Sequence, residues 1–354
     1  MSYPKMTVNL ETIKNNVRSV VGLCNSQGIK VAGVTKVFCG NPRIAKAYIE
    51  GGVSYLADSR IENLIRLKEL DIPKIMLRLP MKSEAEKIVE YADISLNSEL
   101  DTITSLSEKA LEKGKIHKII LMVDLGDLRE GYYDEKSLFN SIEKMIELKG
   151  VKIIGLGTNL TCYGGVIPTK EILNRLAKLE KQIEEKYNIE LEILSGGNSS
   201  TVHLLPDNKI DRLNNLRLGE SLILGTESAY GEQIEGTKND AFTLQVEIIE
   251  VKEKPSLPTG KIGRDAFGNI PTFIDRGVRR RILCAVGKQD VDFEALYPLD
   301  EGIIILGGSS DHLILDGSDS EVDYKVGDII EFRMSYVGIL RGMTSEYVEK
   351  EIIE

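Results

Sequence analysis

The residue of this sequence with the clearest chemical potential is Lys36, which follows a short apolar segment. Residues 30–40 read K-V-A-G-V-T-K-V-F-C-G, and the valines and alanine are typical of a buried strand. Removing an ammonium group from water is costly, so a lysine at the mouth of such a strand is expected to have a lowered pKa or a covalent partner. The simpler alternative is that Lys36 ends the strand and points into solvent. The segment alone does not decide between these two interpretations of Lys36.

A second segment, Ser195 to Thr201, has the composition of an anion site. Its sequence, S-G-G-N-S-S-T, contains two glycines that let backbone amides approach an anion, followed by Asn198, Ser199 and Ser200, which can cap a helix. Together these features predict a phosphate cradle. An ordinary helix N-cap after a turn is the alternative that the motif leaves open.

Both segments belong to a regular alternation of strands and helices. Eight short apolar segments alternate with amphipathic helices, over about 220 residues, which is typical of a (β/α)8 TIM barrel. An open doubly wound sheet would need a glycine-rich turn after its first strand, and residues 31–42 do not contain one. The predicted strands are 31–35, 53–56, 74–78, 93–96, 118–123, 151–158, 191–194 and 212–218.

A barrel would bring polar residues from several loops to one rim, because the active sites of barrels lie at the C-terminal ends of their strands. Lys36 follows the first predicted strand, and the S-G-G-N-S-S-T segment follows the seventh. Barrels often bind phosphate after strands seven and eight, which agrees with that position. The other polar residues that follow strands are Asp124, Arg129, Thr158, Asn159, Cys162, Tyr163 and the segment 217–220.

Helical periodicity ends near residue 233, and the remaining chain is predicted to be an all-β domain. Its strands are predicted at 241–251, 280–286, 302–307, 312–316 and 328–334, separated by turn signals. We therefore divide the chain into a barrel, residues 10–232, and a β domain, residues 233–354, to which a strand within residues 1–9 is added.

Composition restricts the class of protein. The chain has 354 residues and a formal net charge of -10, which is unfavourable for general nucleic-acid binding. No apolar segment approaches the roughly 18 residues of a membrane helix, and the first residues lack a signal-peptide core. The three histidines have no metal-ligand spacing, which argues against a metal site. The four cysteines are widely separated, as is typical of a reducing cytoplasm.

An imine-forming lysine and a phosphate cradle on one rim indicate pyridoxal 5′-phosphate as the cofactor. Schiff-base aldolases with a barrel fold also use a lysine. Their lysine usually lies far along the barrel, and they lack an appended β domain.

Beyond these two segments, the chain resembles the alanine racemase family of fold-type III pyridoxal-phosphate enzymes. V-A-G-V-T-K, ending at Lys36, is similar to the cofactor-lysine strand of that family, and V-D-L-G-D-L-R-E-G, which contains Arg129, is similar to its D-x-G-x-x-R-x-G element. S-G-G-N-S-S is similar to its phosphate-binding Asn-Ser, and R-L-G, starting at Arg217, to its Arg-x-Gly. The motifs follow the order of the family over nearly the whole chain, and the ornithine racemase branch is the closest match.

The resemblance implies roles for most residues of the site. Lys36 would bind the cofactor as an imine and then act as the base on one face of the substrate. Arg217 would face the pyridine nitrogen, and Arg129 would support the ring hydroxyl or the substrate carboxylate. The residues implied in cofactor binding are Lys36, Asn159, Asn198, Ser199, Ser200, Arg217, Gly219, Glu220 and Tyr336.

In the β domain the chain departs from the family pattern. Lys288 stands where alanine racemases place a tyrosine from the second subunit on the opposite face of the substrate. We therefore expect Lys288 to be the second base, ahead of Cys284, Cys162 and Tyr163. Asp311, Asp290 and Asp292 are candidate partners for the terminal amine of a long basic substrate. Asp311 is the first choice, because Asp290 and Asp292 are better explained as turn residues, an alternative that also stays open for Asp311.

These features predict a pyridoxal-phosphate-dependent amino-acid racemase that interconverts L- and D-ornithine by a two-base transfer of the α-proton. The resemblance implies a head-to-tail homodimer, and we expect it in the cytoplasm, without metal, nucleic acid or membrane as partners. A racemase for lysine, alanine or serine is the first alternative, and a non-catalytic pyridoxal-phosphate carrier or regulator is the second. A decarboxylase of the same fold is a third. Arg217 argues against it, since those enzymes usually place a carboxylate against the ring nitrogen.

Overall fold

A computed structural model describes residues 2–206, 210–265 and 267–354. It divides the chain into two compact units, a larger one of residues 11–239 and a smaller one that combines the N-terminal segment up to residue 10 with residues 240–354. Residues 1, 207–209 and 266, which the predicted domains include, lie outside the described residues. Within the described parts of the chain, no helix has both the length and the apolar character needed to cross a membrane.

The larger unit contains a closed barrel of eight parallel strands, which confirms the predicted TIM barrel. Each strand pairs with the next, and the last pairs with the first. Because helices cover the outside of the barrel and side chains fill its interior, the strands are apolar on both faces. All eight predicted strands are present, with ends that differ by three residues or fewer. The first strand of the chain, β1 (Lys5–Asn9), belongs to the smaller unit, and the barrel strands are β2 (Lys30–Val34), β3 (Tyr55–Asp58), β4 (Lys74–Met76), β5 (Ile94–Asn97), β6 (His117–Met122), β7 (Val151–Gly157), β8 (Ile193–Ser195) and β9 (Asn215–Leu218).

The helices of the larger unit follow the predicted amphipathic pattern. In the fifth of them, Ile103, Leu106 and Ala110 are fully buried on one side, because a helix presents residues three and four apart on one face. The helices are α1 (Leu10–Ser26), α2 (Pro42–Gly51), α3 (Ile61–Arg66), α4 (Ala85–Tyr91), α5 (Leu100–Glu112), α6 (Glu135–Met145), α7 (Lys170–Tyr187) and α8 (Glu220–Ile223), with 3-10 turns at Lys36–Phe38, Lys82–Glu84, Ser199–Leu204 and, in the smaller unit, Phe293–Ala295.

The smaller unit is a mainly antiparallel sheet, in agreement with the predicted β domain. β1 pairs with the long strand β10 on one side and with the last strand of the chain on the other. The strands that follow β1 in this unit are β10 (Phe242–Pro255), β11 (Val278–Cys284), β12 (Leu296–Pro298), β13 (Ile304–Gly308), β14 (Leu313–Asp316), β15 (Ile329–Met334) and β16 (Glu349–Ile353).

The smaller unit also contains a helix, α9 (Tyr336–Thr344), that the sequence did not predict. Gly338 and Gly342 lower the helix propensity of this segment. Both are buried, and a Cβ on Gly342 would lie 2.4 Å from Met6 Cε. The glycines therefore allow α9 to pack closely, and tertiary packing overrides local propensity.

The boundary between the units lies further along the chain than the predicted one at 232/233. Residues 233–239 belong to the larger unit. There Asn16 in α1 accepts a hydrogen bond from Lys238 N at 2.8 Å and donates one to Lys238 O at 2.7 Å. The predicted boundary lies where helical periodicity ends. The chain after that point still packs against α1, so it belongs to the larger unit.

A buried pair between β5 and β6 should make the stability of the fold depend on pH. Ser95 Oγ lies 2.8 Å from His117 Nε2, and burial lowers the pKa of His117 to about 4. In the unfolded chain a histidine titrates near pH ~6.5, so below that pH the unfolded state binds a proton that the folded state does not. The free energy of unfolding should therefore fall by up to about 3 kcal/mol between pH ~6.5 and ~4 on account of this residue. We expect the variant His117→Gln, whose side chain can still form a hydrogen bond with Ser95, to lose this pH-dependent decrease in the free energy of unfolding. Urea unfolding measured across this pH range tests the prediction. An unchanged pH dependence in the variant would contradict the assignment.

Candidate active site at the mouth of the barrel

The predicted site residues of the larger unit all lie at the C-terminal ends of barrel strands. Lys36 follows β2, Arg129 follows β6 and Asn159 follows β7. The loops after β8 and β9 contribute the other predicted site residues of this unit. Since barrels place their chemistry at this end, the larger unit brings these residues to one rim. The site residues in the loops after β8 and β9 are Asn198, Ser199, Ser200, Gly219 and Glu220. Arg217 belongs to β9 itself, near the C-terminal end of the strand.

Lys36 begins a single 3-10 turn directly after β2 and is half-buried. The turn ends abruptly because Cys39 and Gly40 both have left-handed backbone conformations, with φ of 54° and 61°. β2 and β9 are paired through Gly33 and Leu218. Lys36 therefore leaves the barrel beside the start of the 219–220 segment.

A buried carboxylate supports the residue that precedes Lys36. Thr35 Oγ1 donates a hydrogen bond of 2.6 Å to Asp58 Oδ2, while Asp58 Oδ1 accepts bonds from Arg60 N and Asn63 Nδ2 at 2.9 and 3.0 Å. Burial raises the pKa of Asp58, and these hydrogen bonds oppose the effect. The residue pattern around Asp58 does not by itself predict this role. Its only local signal is an acidic residue at the end of an apolar strand.

Arg217 is a deeply buried cation, with only 5% of its surface exposed. Its Nη1 donates to Ser195 Oγ at 2.5 Å and its Nη2 to the Thr158 carbonyl at 2.6 Å. Burial lowers the pKa of Arg217 to about 10, so the group is protonated at neutral pH. Within the described part of the chain, the hydrogen-bond acceptors of this guanidinium are all neutral. A buried charge without an ion pair is costly, which indicates that a ligand supplies the missing acceptor.

The S-G-G-N-S-S-T segment is both a helix cap and a junction between two loops. Asn198 Oδ1 accepts a hydrogen bond of 2.8 Å from Ser200 N, which makes Asn198 the N-cap of the 3-10 turn. Its Nδ2 donates to Asn159 Oδ1 at 3.1 Å. Ser199 Oγ accepts a bond of 3.1 Å from Ser221 N in α8. The segment thus joins the loops after β7, β8 and β9, the place where barrels often bind phosphate.

Three polar atoms in these loops are buried and lack a hydrogen-bond partner among the described residues: Thr158 Oγ1, Asn159 Nδ2 and Ser200 Oγ. Leaving a buried polar group unpaired costs about 1–3 kcal/mol. Such groups are rare in folded proteins unless a ligand or water pairs with them. The Ser200 hydroxyl fits a phosphate, and the Asn159 amide fits a polar aromatic ring beside Arg217. The residues present therefore fit the predicted pyridoxal phosphate.

A second buried carboxylate, Asp127, connects the loops after β6 and β7. It is fully buried and accepts hydrogen bonds of 2.9 to 3.2 Å from four backbone amides. This places the exposed residues Cys162 and Tyr163 at the rim, where Cys162 Sγ accepts a bond of 3.3 Å from Asn198 Nδ2. Sequence reasoning missed Asp127, whose signal was an aspartate in a glycine-flanked loop. The four amides belong to Thr161, Cys162, Tyr163 and Val166.

Arg129 forms an ion pair with its neighbour in the chain, Glu130. It donates hydrogen bonds from Nε and Nη2 to the carboxylate of the adjacent Glu130. This contact raises the pKa of Arg129. Its predicted role with the ring hydroxyl or the substrate carboxylate stays a prediction.

The remaining predicted site residues belong to the smaller unit. The Lys288 ammonium is exposed and lies 4.5 Å from the ring centre of Phe267. Its backbone N donates to Ser309 O at 3.1 Å, which joins the turn of Lys288 to the turn of Asp311. Asp311 is exposed and accepts a bond of 2.8 Å from Ser309 Oγ. Tyr336, half-buried, is the first residue of α9.

One candidate for the second base does not suit that role. Cys284 is fully buried in β11, and burial raises the pKa of its thiol to about 12. A thiol that is neither accessible nor ionised at neutral pH cannot exchange a proton with a substrate. Lys288, Cys162 and Tyr163, in contrast, are all exposed.

A groove of about 460 Å³ lies at the opposite end of the barrel, where β4, β5 and β6 begin. It is lined by several lysines that face solvent together with the buried Lys74 and His117. Because this end of a barrel contributes to stability rather than chemistry, the groove is not the candidate active site. Its lysines are Lys68, Lys74, Lys115 and Lys118.

Comparisons with known proteins agree with this arrangement. A family model described as "Alanine racemase, N-terminal domain" matches residues 8–227. The chain is 50% identical to an ornithine racemase of Acetoanaerobium sticklandii over 352 residues, which is 99% of this chain and 100% of that protein. It is 42% identical to a lysine racemase of Thermotoga maritima over 353 residues, 99% of this chain and 98% of that one. An alanine racemase from Clostridium difficile 630 has the same fold, with a TM-score of 0.74 at 19% identity over 100% of this chain and 97% of that chain.

Proposed function

Because this chain belongs to the alanine racemase family, we propose that it is a pyridoxal-phosphate-dependent racemase that acts on ornithine. The chain is an amino-acid racemase and therefore an isomerase. The observation that supports ornithine is the 50% identity to an ornithine racemase over 99% of the chain, against 42% to a lysine racemase. Lysine is the second candidate because its side chain ends in the same ammonium group.

The site is suited to hold pyridoxal phosphate. Bound pyridoxal phosphate supplies an aromatic ring that accepts the negative charge left on the α-carbon when its proton is removed. The amine of Lys36 is the proposed attachment point, and the unpartnered Ser200 hydroxyl supports a phosphate position beside α8. The residues proposed to bind the cofactor are Lys36, Asn159, Asn198, Ser199, Ser200, Arg217, Gly219, Glu220 and Tyr336.

Each catalytic residue has a distinct task in this proposal. Lys36 moves the α-proton on one face of the substrate, where its half-buried position limits exchange with water. Arg217 donates hydrogen bonds but keeps its own proton, since its pKa of about 10 lies well above neutral pH. Arg129 binds an oxygen anion at the rim. Lys288 is proposed to move the proton on the opposite face.

The proposal for the second face includes a head-to-tail homodimer. In the family arrangement that the resemblance implies, the β domain of one subunit completes the barrel site of the other. Lys288 and Asp311 suit such a role because both are exposed and lie on adjacent turns of the smaller unit. Asp311 would then bind the terminal ammonium of ornithine. We propose the reducing cytoplasm as the location, supported by four cysteines that are widely separated in the sequence.

The function is tested by incubating the cofactor-loaded protein with L-ornithine in deuterated water. Optical rotation, α-deuterium incorporation and carbon dioxide are followed together. Loss of optical rotation with deuterium exchange is the expected result, faster for ornithine than for lysine, alanine or serine. Release of carbon dioxide would instead identify a decarboxylase. No reaction with any of these amino acids would contradict the proposal.

A further inference from the structure

The ion pair of Arg129 and Glu130 contains a carboxylate that is largely removed from water. The side chain of Glu130 is 14% exposed, against 42% for Arg129. A carboxylate in such a position is stable only when it is paired, and breaking the pair would leave it uncompensated. Arg129 binds it side-on, through Nε and Nη2 at once. A two-point contact of this kind also fixes the orientation of the guanidinium plane.

This geometry leaves one nitrogen of Arg129 for a ligand. Since Glu130 occupies Nε and Nη2, Nη1 is the nitrogen for which the described contacts include no protein acceptor. A guanidinium held on one edge can present the other edge to an oxygen anion. The pair is thus arranged to bind an anion on the side that Glu130 does not cover.

The charge of Glu130 also acts on Arg217. Negative charge on Glu130 raises the pKa of Arg217, whereas burial and the positive charge of Arg129 lower it. Glu130 thus pairs with Arg129 and acts on the pKa of Arg217 in the opposite direction to burial. The other titratable groups near the pair are Cys162, which interacts with both arginines, and Asp127, which interacts with Arg129.

The backbone holds this pair in place. Asp124 Oδ1 accepts hydrogen bonds from Gly126 N and Leu128 N at 2.8 and 3.1 Å, which closes the loop after β6. Gly131 has a φ of 119°, and a Cβ at this position would lie 2.7 Å from Asp124 N. The backbone before and after Glu130 is therefore constrained.

We propose that Glu130 is a positioning residue that holds Arg129 with Nη1 facing an oxygen anion of the bound ligand. The anion is the carboxylate of the amino acid or the phenolic oxygen of the cofactor. The inference rests on the proposed function, because it requires such a ligand at the mouth of the barrel. Glu130 itself touches neither substrate nor cofactor in this assignment.

The test compares Glu130→Gln and Glu130→Asp with a matched control, Glu192→Gln, which removes a carboxylate from an exposed pair with Lys152. We measure kcat and KM, the dependence of the cofactor absorbance on pH, the affinity for pyridoxal phosphate and the midpoint of thermal unfolding. Misplacing a positioned group can cost about 100-fold, and we expect a loss of about this size in kcat/KM for Glu130→Gln. Glu130→Asp should recover part of the activity, and Glu192→Gln should match the unsubstituted protein.

The spectroscopic readout separates the two possible anions. Removing the negative charge makes the site more positive, so the absorbance change of the loaded protein should move to lower pH in Glu130→Gln. A weaker affinity for pyridoxal phosphate together with this shift identifies the cofactor oxygen. A raised KM with unchanged cofactor affinity identifies the carboxylate of the amino acid.

A second set of variants tests whether Glu130 acts through Arg129. Arg129→Ala combined with Glu130→Gln should be no more impaired than Arg129→Ala alone, because the two residues form one unit. Losses that multiply would overturn the inference, and so would a Glu130→Gln protein that matches the unsubstituted one in absorbance, affinity and kinetics. If the protein does not racemise ornithine, the absorbance and affinity measurements still decide the role of Glu130.

Discussion

Replacing Lys36 by alanine is expected to abolish racemisation and the visible absorbance of the bound cofactor. The amine would be lost from the turn directly after β2, and the preceding residue, Thr35, cannot replace it because a hydroxyl group cannot form an imine. A positioned base alone contributes about 100- to 10,000-fold to a rate, and loss of the attachment point adds to this. We expect a decrease of at least about 10,000-fold in kcat. Polarimetry and absorbance spectra of the loaded protein measure both effects.

Lys30→Ala provides the matched control for Lys36→Ala. Lys30 is exposed and stands at the start of the same strand, β2, at the opposite end of the barrel. This variant should retain the absorbance and the activity. Persistence of the absorbance in Lys36→Ala would show that the cofactor is attached elsewhere, and the central assignment would then be wrong.

Replacing Arg217 by glutamine is expected to lower kcat strongly while the cofactor stays bound. Lys36 and the Ser200 segment, which are proposed to hold the cofactor, remain intact. The variant removes the buried positive charge, together with the donors to Ser195 Oγ and the Thr158 carbonyl. Removing one preorganised donor from an active site costs about 100- to 1,000-fold in kcat, and we expect a decrease in that range. Fixed-time racemisation assays measure kcat, and titration with pyridoxal phosphate measures cofactor affinity, so the two effects are separated.

Glutamine at this position should also lower stability, because a buried acceptor without a partner costs about 1–3 kcal/mol. Arg175→Gln is the control for the loss of a positive charge, because Arg175 is an exposed residue of α7. This variant should change neither kcat nor stability. Arg217→Lys keeps the positive charge but loses the planar guanidinium that donates through two nitrogens, so we expect it to recover only part of kcat. Full activity in Arg217→Gln would exclude a catalytic role for the guanidinium.

Local patterns were sufficient to predict the barrel and the sheet of the smaller unit. Each barrel strand is a short apolar run because it is buried on both faces, and each helix has a continuous apolar face. Such periodicity depends only on neighbouring residues, so it is visible in the sequence. The same argument failed for α9, whose two glycines oppose a helix locally but permit its close packing. It also failed for Cys284, since burial of a single thiol depends on which strands surround it.

By itself, the sequence determined the family resemblance, the barrel with its appended sheet, and the residues proposed to carry chemistry, above all Lys36 and the 195–201 segment. Only the tertiary structure distinguished among carboxylates that look alike in the sequence. Asp58 supports the Lys36 turn, Asp127 binds four backbone amides, and Glu130 pairs with Arg129 near the buried Arg217. The physical reason is that the role of a charge depends on its burial and on partners from distant strands, which residue type and spacing do not encode.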